Sequence, residues 1–161
     1  MSEIPKLRKR RALKHKEIEK LLEEISNYTA LLKEDKIEEA VTSEGTIVYL
    51  LNSVLQFFRF KDTVYPTLRC NCVDRLPSVI VDMGAVPYVC KGADIMAPGI
   101  KELSGEFPEG AIVVIRDINY KKALAIGKAL KNFQEIKITK KGKVITNLHY
   151  VGDEIWQSSS S

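Results

Sequence analysis

The sequence predicts an α+β protein of two small domains, an N-terminal helix laid on an antiparallel sheet and then a small β-barrel. Three observations carry that prediction. A stripe of apolar residues at helical spacing lies near the start, short β-rich runs separated by turn residues follow it, and a stretch dense in glycine and proline, Gly92-Ala93-Asp94-Ile95-Met96-Ala97-Pro98-Gly99-Ile100, interrupts the second half. At 161 residues and 45% hydrophobic content the chain can bury a proper core, as one ordinary domain or two small ones.

Between residues 14 and 33 the apolar positions Ile18, Leu21, Leu22, Ile25, Tyr28, Leu31 and Leu32 recur at offsets of three and four, with Lys16, Glu17, Glu19, Lys20, Glu23 and Glu24 on the other face. This is the pattern of a helix covering a sheet. It is expected to break near Asn27-Tyr28-Thr29, with a short second helix ending before Asp35. Residues 37–41, 46–51 and 54–60 are β-rich runs separated by Ser43-Glu44-Gly45 and Asn52-Ser53, turn formers short enough to favour hairpins over crossovers. Tyr49, Phe57, Phe58, Phe60 and Tyr65 could serve as base-stacking platforms, but aromatics in strands bury first, so core packing is expected. Pro66 is expected to stop the meander, because proline donates no ladder hydrogen bond.

A domain boundary is expected near Leu76-Pro77, dividing the chain into domains 1–76 and 77–157. The second domain is predicted to run through an apolar strand (79–81), a short helix (83–91), and the glycine and proline stretch as loop, strand and turn. Two strongly apolar strands (111–115 and 123–129) follow, then a turn or short helix (132–138) and strands at 144–151 and 154–157, with Gly152-Asp153 as the last hairpin. Residues 158–161 read as a disordered polar tail.

The net charge of +4 is unevenly placed. Residues 1–16 hold seven basic groups against Glu3, residues 17–77 hold seven against eleven acidic, and residues 118–143 hold eight lysines against Glu135. Two basic stretches therefore flank an acidic middle. Local clustering matters more for polyanion binding than the total, because each neutralised phosphate releases condensed counterions. The basic start has three readings: an arm that settles along RNA, the solvated first turns of the leading helix, or arginines docked on the acidic middle of the same chain.

Groups that could do covalent chemistry are scarce. No Walker loop, dinucleotide fingerprint, G-x-S-x-G or H-E-x-x-H occurs, so the chain is read as non-enzymatic, without catalytic residues and without a cofactor. His15 sits in the basic start, and His149 reads as a structural histidine on a strand. Asp82, Asp94, Asp117 and Asp153 suit turn and cap roles, where a short carboxylate accepts backbone N–H groups. Cys70, Cys72 and Cys90 are an odd number and read as reduced thiols; one C-x-C cannot supply four tetrahedral ligands, so no metal site is predicted. No apolar run approaches the roughly 18 residues of a membrane span, and the charged start lacks the apolar region of a secretory signal, which leads to an expectation of a cytoplasmic protein without membrane partners.

The glycine and proline stretch, with Val81-Asp82-Met83-Gly84-Ala85-Val86 upstream and Leu148-His149-Tyr150 downstream, resembles the PUA domain, a small RNA-binding pseudo-β-barrel. Taken with Tyr65-Pro66-Thr67-Leu68-Arg69 and the run from Asn147 to Trp156, it resembles the malignant T-cell amplified sequence proteins, called translation machinery-associated proteins in yeast, in which a pre-PUA domain precedes PUA. The resemblance covers most of residues 37–157. It implies a translation-associated RNA-binding protein acting at the small ribosomal subunit in initiation, reinitiation or recycling, with structured rRNA or tRNA as ligand and an SUI1-type initiation factor as a partner. An accessory role in tRNA or rRNA modification or ribosome assembly, and a protein-interaction adaptor, are the alternatives.

In PUA domains generally the first helix and the glycine-containing loop after it approach an RNA duplex, which implies Lys91, Gly92, Ala93 and Asp94 here. Gly92 and Ala93 would leave no bulk between the backbone and the shallow minor groove. Pro98, Gly99 and Lys101 would shape the neighbouring rim, and Lys121 and Lys122, at a hairpin end, would contact phosphate. A large residue in place of Gly92 is then expected to impair RNA binding without unfolding the barrel, measured as affinity in a folded variant.

Overall fold

The computed structural model describes residues 6–29 and 35–159. The chain divides into two compact units, Met1–Asp74 together with Glu154–Ser161, and Arg75–Asp153.

In the first unit, strands β1 (Arg8–Ala12), β2 (Ile37–Val41), β3 (Ile47–Leu51), β4 (Val54–Phe60) and β5 (Thr63–Pro66) form one antiparallel meander in chain order. Helix α1 (His15–Ile25) follows β1 and lies against β5, burying Leu21 and Ile25 while Lys16, Glu19, Lys20 and Glu23 stay exposed. The expected continuation through Leu31 and Leu32, with its second helix, falls at residues 30–34, outside the described residues. Val48 to Leu51 and Leu55 to Phe58 are buried without a break, so the central strands are covered on both faces. Tyr49, Phe57, Phe58 and Tyr65 belong to this buried set, as core packing requires, while Phe60 stays half exposed at a hairpin end.

Two of the hairpins close on pairs of left-handed residues, Asn52-Ser53 and Lys61-Asp62, the geometry of type I′ turns that matches strand twist. Lys61-Asp62 carries no glycine or asparagine, which is why the sequence does not announce it. Pro66 stops the meander as expected: it is the last residue of β5, the last strand of this sheet, and because β5 is the sheet edge the missing N–H costs no ladder bond.

The basic start is the third of its three readings. Residues 8–12 form an edge strand, and its arginines grip the acidic middle of the same chain. Arg10 forks onto Glu38 at 3.0 and 2.9 Å, and Arg11 holds Glu17 at 2.9 and 2.6 Å and Glu39 at 3.2 Å. The Arg11 guanidinium, helped by the Lys14 N–H, pulls the Glu17 carboxyl down to about 2.

The second unit holds strands β6 (Ser78–Val81), β7 (Ile95–Met96), β8 (Ile100–Ser104), β9 (Ile112–Asp117), β10 (Ala123–Ala129) and β11 (Lys143–Tyr150), with helices α2 (Val86–Val89) and α3 (Phe133–Ile138). Its six-stranded sheet runs β7, β11, β10, β9, β6, β8, antiparallel except for the parallel pair of β6 and β9. The sequence does not show β8, because Ile100 and Leu103 are the only apolar residues of Ile-Lys-Glu-Leu-Ser and their spacing of three is helical rather than alternating. Val79, Val81, Ile95, Val113, Ile115, Ala125, Val144 and Ile145 fill the core with Val89 of α2 and Ile136 of α3.

The expected last strand at 154–157 is instead helix α4 (Glu154–Ser158), so Gly152-Asp153 is not a hairpin. Gly152, at φ +96°, turns the chain away from β11, and α4 joins the first unit. There Glu154 accepts the Glu44 N–H at 2.8 Å and the Trp156 ring lies 4.3 Å from the Arg69 guanidinium. Ser158 is buried at the end of this helix rather than frayed; Ser160 and Ser161 fall outside the described residues.

Gly127, in the middle of β10, has no room for a side chain. A Cβ there would lie 2.5 Å from Cγ2 of fully buried Ile145 and 3.1 Å from the Thr146 carbonyl. Gly127→Ala is expected to destabilise the protein by about 2 kcal/mol through overpacking, read as a lower urea midpoint at unchanged m-value.

Candidate nucleic-acid interface

The segment around α2 is shaped by side chains that bind backbone. Asp82 accepts the Ala85 N–H at 2.8 Å and so sets the turn into the helix, while its own N–H donates to the Gly99 carbonyl at 3.0 Å. That bond brings the turn after β7 against the start of α2, where a Cβ on Gly99 would touch the Ala85 methyl at 3.5 Å. Beyond α2, Asp94 accepts the Asn147 N–H at 2.9 Å, and the Asn147 amide donates to the Val89 and Ala93 carbonyls at 3.1 and 3.0 Å. Lys143 reaches Asp94 at 3.4 Å. The Asp94 carboxylate is thus engaged in holding the loop.

Gly92 has a different reason from the one its sequence suggests. It is half buried at φ +94°, and a Cβ would meet the Tyr150 ring at 3.0 Å. The empty side-chain position is filled by tyrosine, so a large residue at 92 strains the backbone and displaces Tyr150, and the variant does not isolate a contact surface. Ala93 is exposed beside it.

Val81, Ala85, Tyr88, Ala93, Met96 and Gly99 line a cavity of about 220 Å³. Two large side chains at its rim stand out in solvent, Tyr88 at 67% and Met96 at 50% of full exposure. Neither is singled out from the sequence, because nothing local marks a side chain as exposed. Pro98 is exposed in the 3₁₀ turn that follows β7.

Basic groups approach this cavity along the edge formed by β7 and β11. Ala97 donates to the Gly142 carbonyl at 2.9 Å and Met96 pairs with Lys143, bringing exposed Lys140, Lys141 and Lys143 to the rim. The sequence places these lysines in a charged tract without assigning them to the site. At the end of α2, burial pushes the Cys90 thiol up and the Lys122 ammonium draws it back. Lys91 is exposed at the end of α2, and Lys121 shares its charge with Glu102 at 3.2 Å. Lys101 is not gathered here: with Lys137 it borders a separate groove between β8 and α3. The second unit carries twelve lysines and arginines against eight carboxylates, whereas the first carries thirteen of each, so the whole excess of +4 belongs to the unit with the cavity.

The hairpin end itself is set by Asp117, which is buried and accepts the Tyr120 N–H at 2.6 Å and the Lys122 N–H at 3.1 Å. These donors, Tyr120 foremost, hold its carboxyl below the ordinary range. Asp153 accepts the Tyr150 N–H at 3.0 Å, so all four aspartates serve turns or loops. Asp153 also meets Nδ1 of fully buried His149 at 2.8 Å, the structural use expected of that histidine. His15 is exposed, 2.9 Å from Glu19. Cys70 and Cys72 are buried, with Sγ of Cys70 accepting the Cys72 N–H at 3.3 Å. Among the described residues no group of three or more histidine, cysteine or carboxylate side chains is placed to hold a metal ion, and no helix is long and apolar enough to cross a membrane.

Residues 77–151 match the PUA domain family, and residues 9–71 match the family described as Domain of unknown function (DUF1947). The chain is similar to an uncharacterized protein of Methanocaldococcus jannaschii, 37% identical over 93% of this chain and 96% of that one. It is also similar to Translation machinery-associated protein 20 of Eremothecium gossypii, 32% identical over 92% of this chain and 87% of that one. The fold is similar to the crystal structure of a PUA domain from Aeropyrum pernix K1 in a tartrate complex, at a TM-score of 0.82 and 25% identity over 95% of this chain and 91% of that one.

Asp117 generates a pH prediction. Its two oxygens each accept a separate N–H, and Asp117→Asn would turn an NH₂ toward one of these donors, a loss of about 2 kcal/mol at neutral pH. Because the native carboxyl is depressed, its contribution is complete above the unfolded value of about 4 and is lost as pH falls through the native one. The stability gap between wild type and variant, followed by urea unfolding, is expected to be constant above about pH 5 and to close at lower pH.

Proposed function

The chain belongs to the family of the translation machinery-associated and malignant T-cell-amplified sequence proteins, and from that membership we propose that it binds folded RNA in translation, through the second unit and without chemically transforming its ligand. The observation that carries the reading is a lysine-rich turn, Lys140 to Lys143, at the rim of one apolar cavity bounded by a backbone loop, in the unit that holds all the excess charge. Lys122, Lys140 and Lys141 suit phosphates, which position an RNA without reading its sequence, whereas Lys143 is offset by Asp94. The exposed Ala93, with no bulk beyond its methyl group, and the Tyr88 and Met96 side chains suit sugar and base faces. Lys91, Pro98 and Gly99 belong to the same surface, while Lys121 contributes less because Glu102 offsets it.

Within that reading, the site of action is the small ribosomal subunit during initiation, reinitiation or recycling, in the cytoplasm, with rRNA or tRNA as ligand. The charge-balanced first unit then serves protein contacts, an SUI1-type factor among them. The exposed apolar rim of Tyr88 and Met96 favours a second reading, an adaptor whose lysines only keep it soluble. Salt separates the two: affinity for tRNA or rRNA fragments that falls steeply as salt rises supports phosphate contacts, and affinity that is unmeasurable at low salt, or indifferent to salt, supports the adaptor.

Lys122→Gln is expected to lower affinity for different RNAs alike and to flatten the salt slope by about 1. Lys121→Gln, already ion-paired, is expected to change both less. Titrations of the two variants against wild type at several salt concentrations check the order.

A further inference from the structure

The turn between β9 and β10 presents a tyrosine that its own fold does not use. Tyr120 is 80% exposed, the most exposed of the large hydrophobic residues described. Among the described residues no ring or cation packs on it. The backbone beneath it is held at nearly every polar group. Asp117 takes the N–H of Tyr120 and Lys122 through its side chain and that of Lys121 through its carbonyl at 3.0 Å. Ile118 donates to Val81 at 3.0 Å, and Arg116 grips the Lys121 carbonyl at 2.8 Å with Lys121 fixed at φ +55°. The turn would fold as well around a polar residue, because all of these bonds use main chain at position 120.

A large ring on a rigid turn, flanked by Lys121 and Lys122, has the parts of a stacking platform. Its ring offers a flat π-face at the cost of only two side-chain torsions, and the neighbouring ammonium groups suit the phosphates of the same nucleotide. Bases inside a continuous duplex are already stacked and cannot take up such a ring, whereas an unpaired base can.

We propose that Tyr120 stacks on an unpaired nucleobase of the bound RNA, with Lys122 on its phosphate, so that this hairpin selects helices interrupted by unpaired nucleotides. This rests on the RNA-binding reading above. It adds a discrimination that lysine contacts alone cannot make, since phosphates look alike in paired and bulged RNA.

The test uses the full chain and two RNA stems that differ only in an internal bulge, with 2-aminopurine in the bulge. Wild type is expected to favour the bulged stem and to quench its fluorescence. Tyr120→Ala is expected to lose about tenfold in affinity for the bulged stem and the quenching with it, with little change on the paired stem. Tyr120→Phe, which keeps the ring, is expected to retain both. Wild type that binds both stems equally, or Tyr120→Ala that matches wild type on the bulged stem, overturns the stacking while leaving RNA binding in place. Wild type that binds neither stem overturns the RNA reading and the stacking together.

Discussion

Asp94 holds the backbone of Asn147, fifty-three residues away in the chain, while the Asn147 amide holds the carbonyls that lead into Asp94, and the candidate surface exists because they do. A helix as short as α2 has no stability of its own, since nucleation costs more than so few hydrogen bonds return. The loop after it must also carry a left-handed glycine and then re-enter the sheet as β7. The Asn147 amide answers both needs, capping the Val89 carbonyl at the helix end and the Ala93 carbonyl in the loop, while Asp94 returns the contact to the strand. Among the described residues the Asn147 Oδ1 has no partner, so the amide is oriented by its two donated bonds. Tyr150, on the same strand, then fills the side-chain position that Gly92 leaves empty. One strand, β11, therefore supports the loop from beneath along most of its length.

The two units use positive charge in different ways. In the first, arginines form bidentate pairs: Arg10 with Glu38, Arg11 with Glu17, and Arg59 with Glu24 in a network that includes the Tyr49 hydroxyl. A planar fork suits such fixed partners. In the second, lysines predominate and stand largely in solvent, where a compact ammonium on a flexible stem can follow a polyanion. Two arginines of the basic start, Arg10 and Arg11, are thereby consumed internally. The later lysines stay in solvent, with Lys121 and Lys143 each beside one carboxylate.

This inversion shows which parts of the molecule a sequence discloses. Strands such as β10 and β9, apolar and bounded by turn formers, were legible, as was α3 with Asn132 before it; so were the cap roles of the aspartates, because a short carboxylate has few other uses. Elements whose residues lack intrinsic preference were not. β1 is all arginine and lysine up to Ala12, and nothing local marks it as a strand; it is one because Glu38 and Glu39 lie opposite. The helix α4 was hidden because Glu-Ile-Trp-Gln alternates like a strand over so short a span, and what fixes it is its return to the first unit. At the candidate surface the chain locations of Lys91 to Asp94 and of Lys121 and Lys122 were readable. The adjacency of Lys140, Lys141 and Lys143, and the exposure of Tyr88, Met96 and Tyr120, belong to tertiary structure and have no local signal.

The return of α4 has a consequence for biosynthesis. In a nascent chain the first meander can form as soon as its strands have emerged, yet the piece that supplies Ile155 and Trp156 to that unit leaves the tunnel only after the intervening unit has been made in full. Until then Arg69 waits without its indole. The first unit thus begins its assembly before the second has been made and completes it only afterwards, so its maturation reports that the intervening unit has been synthesised.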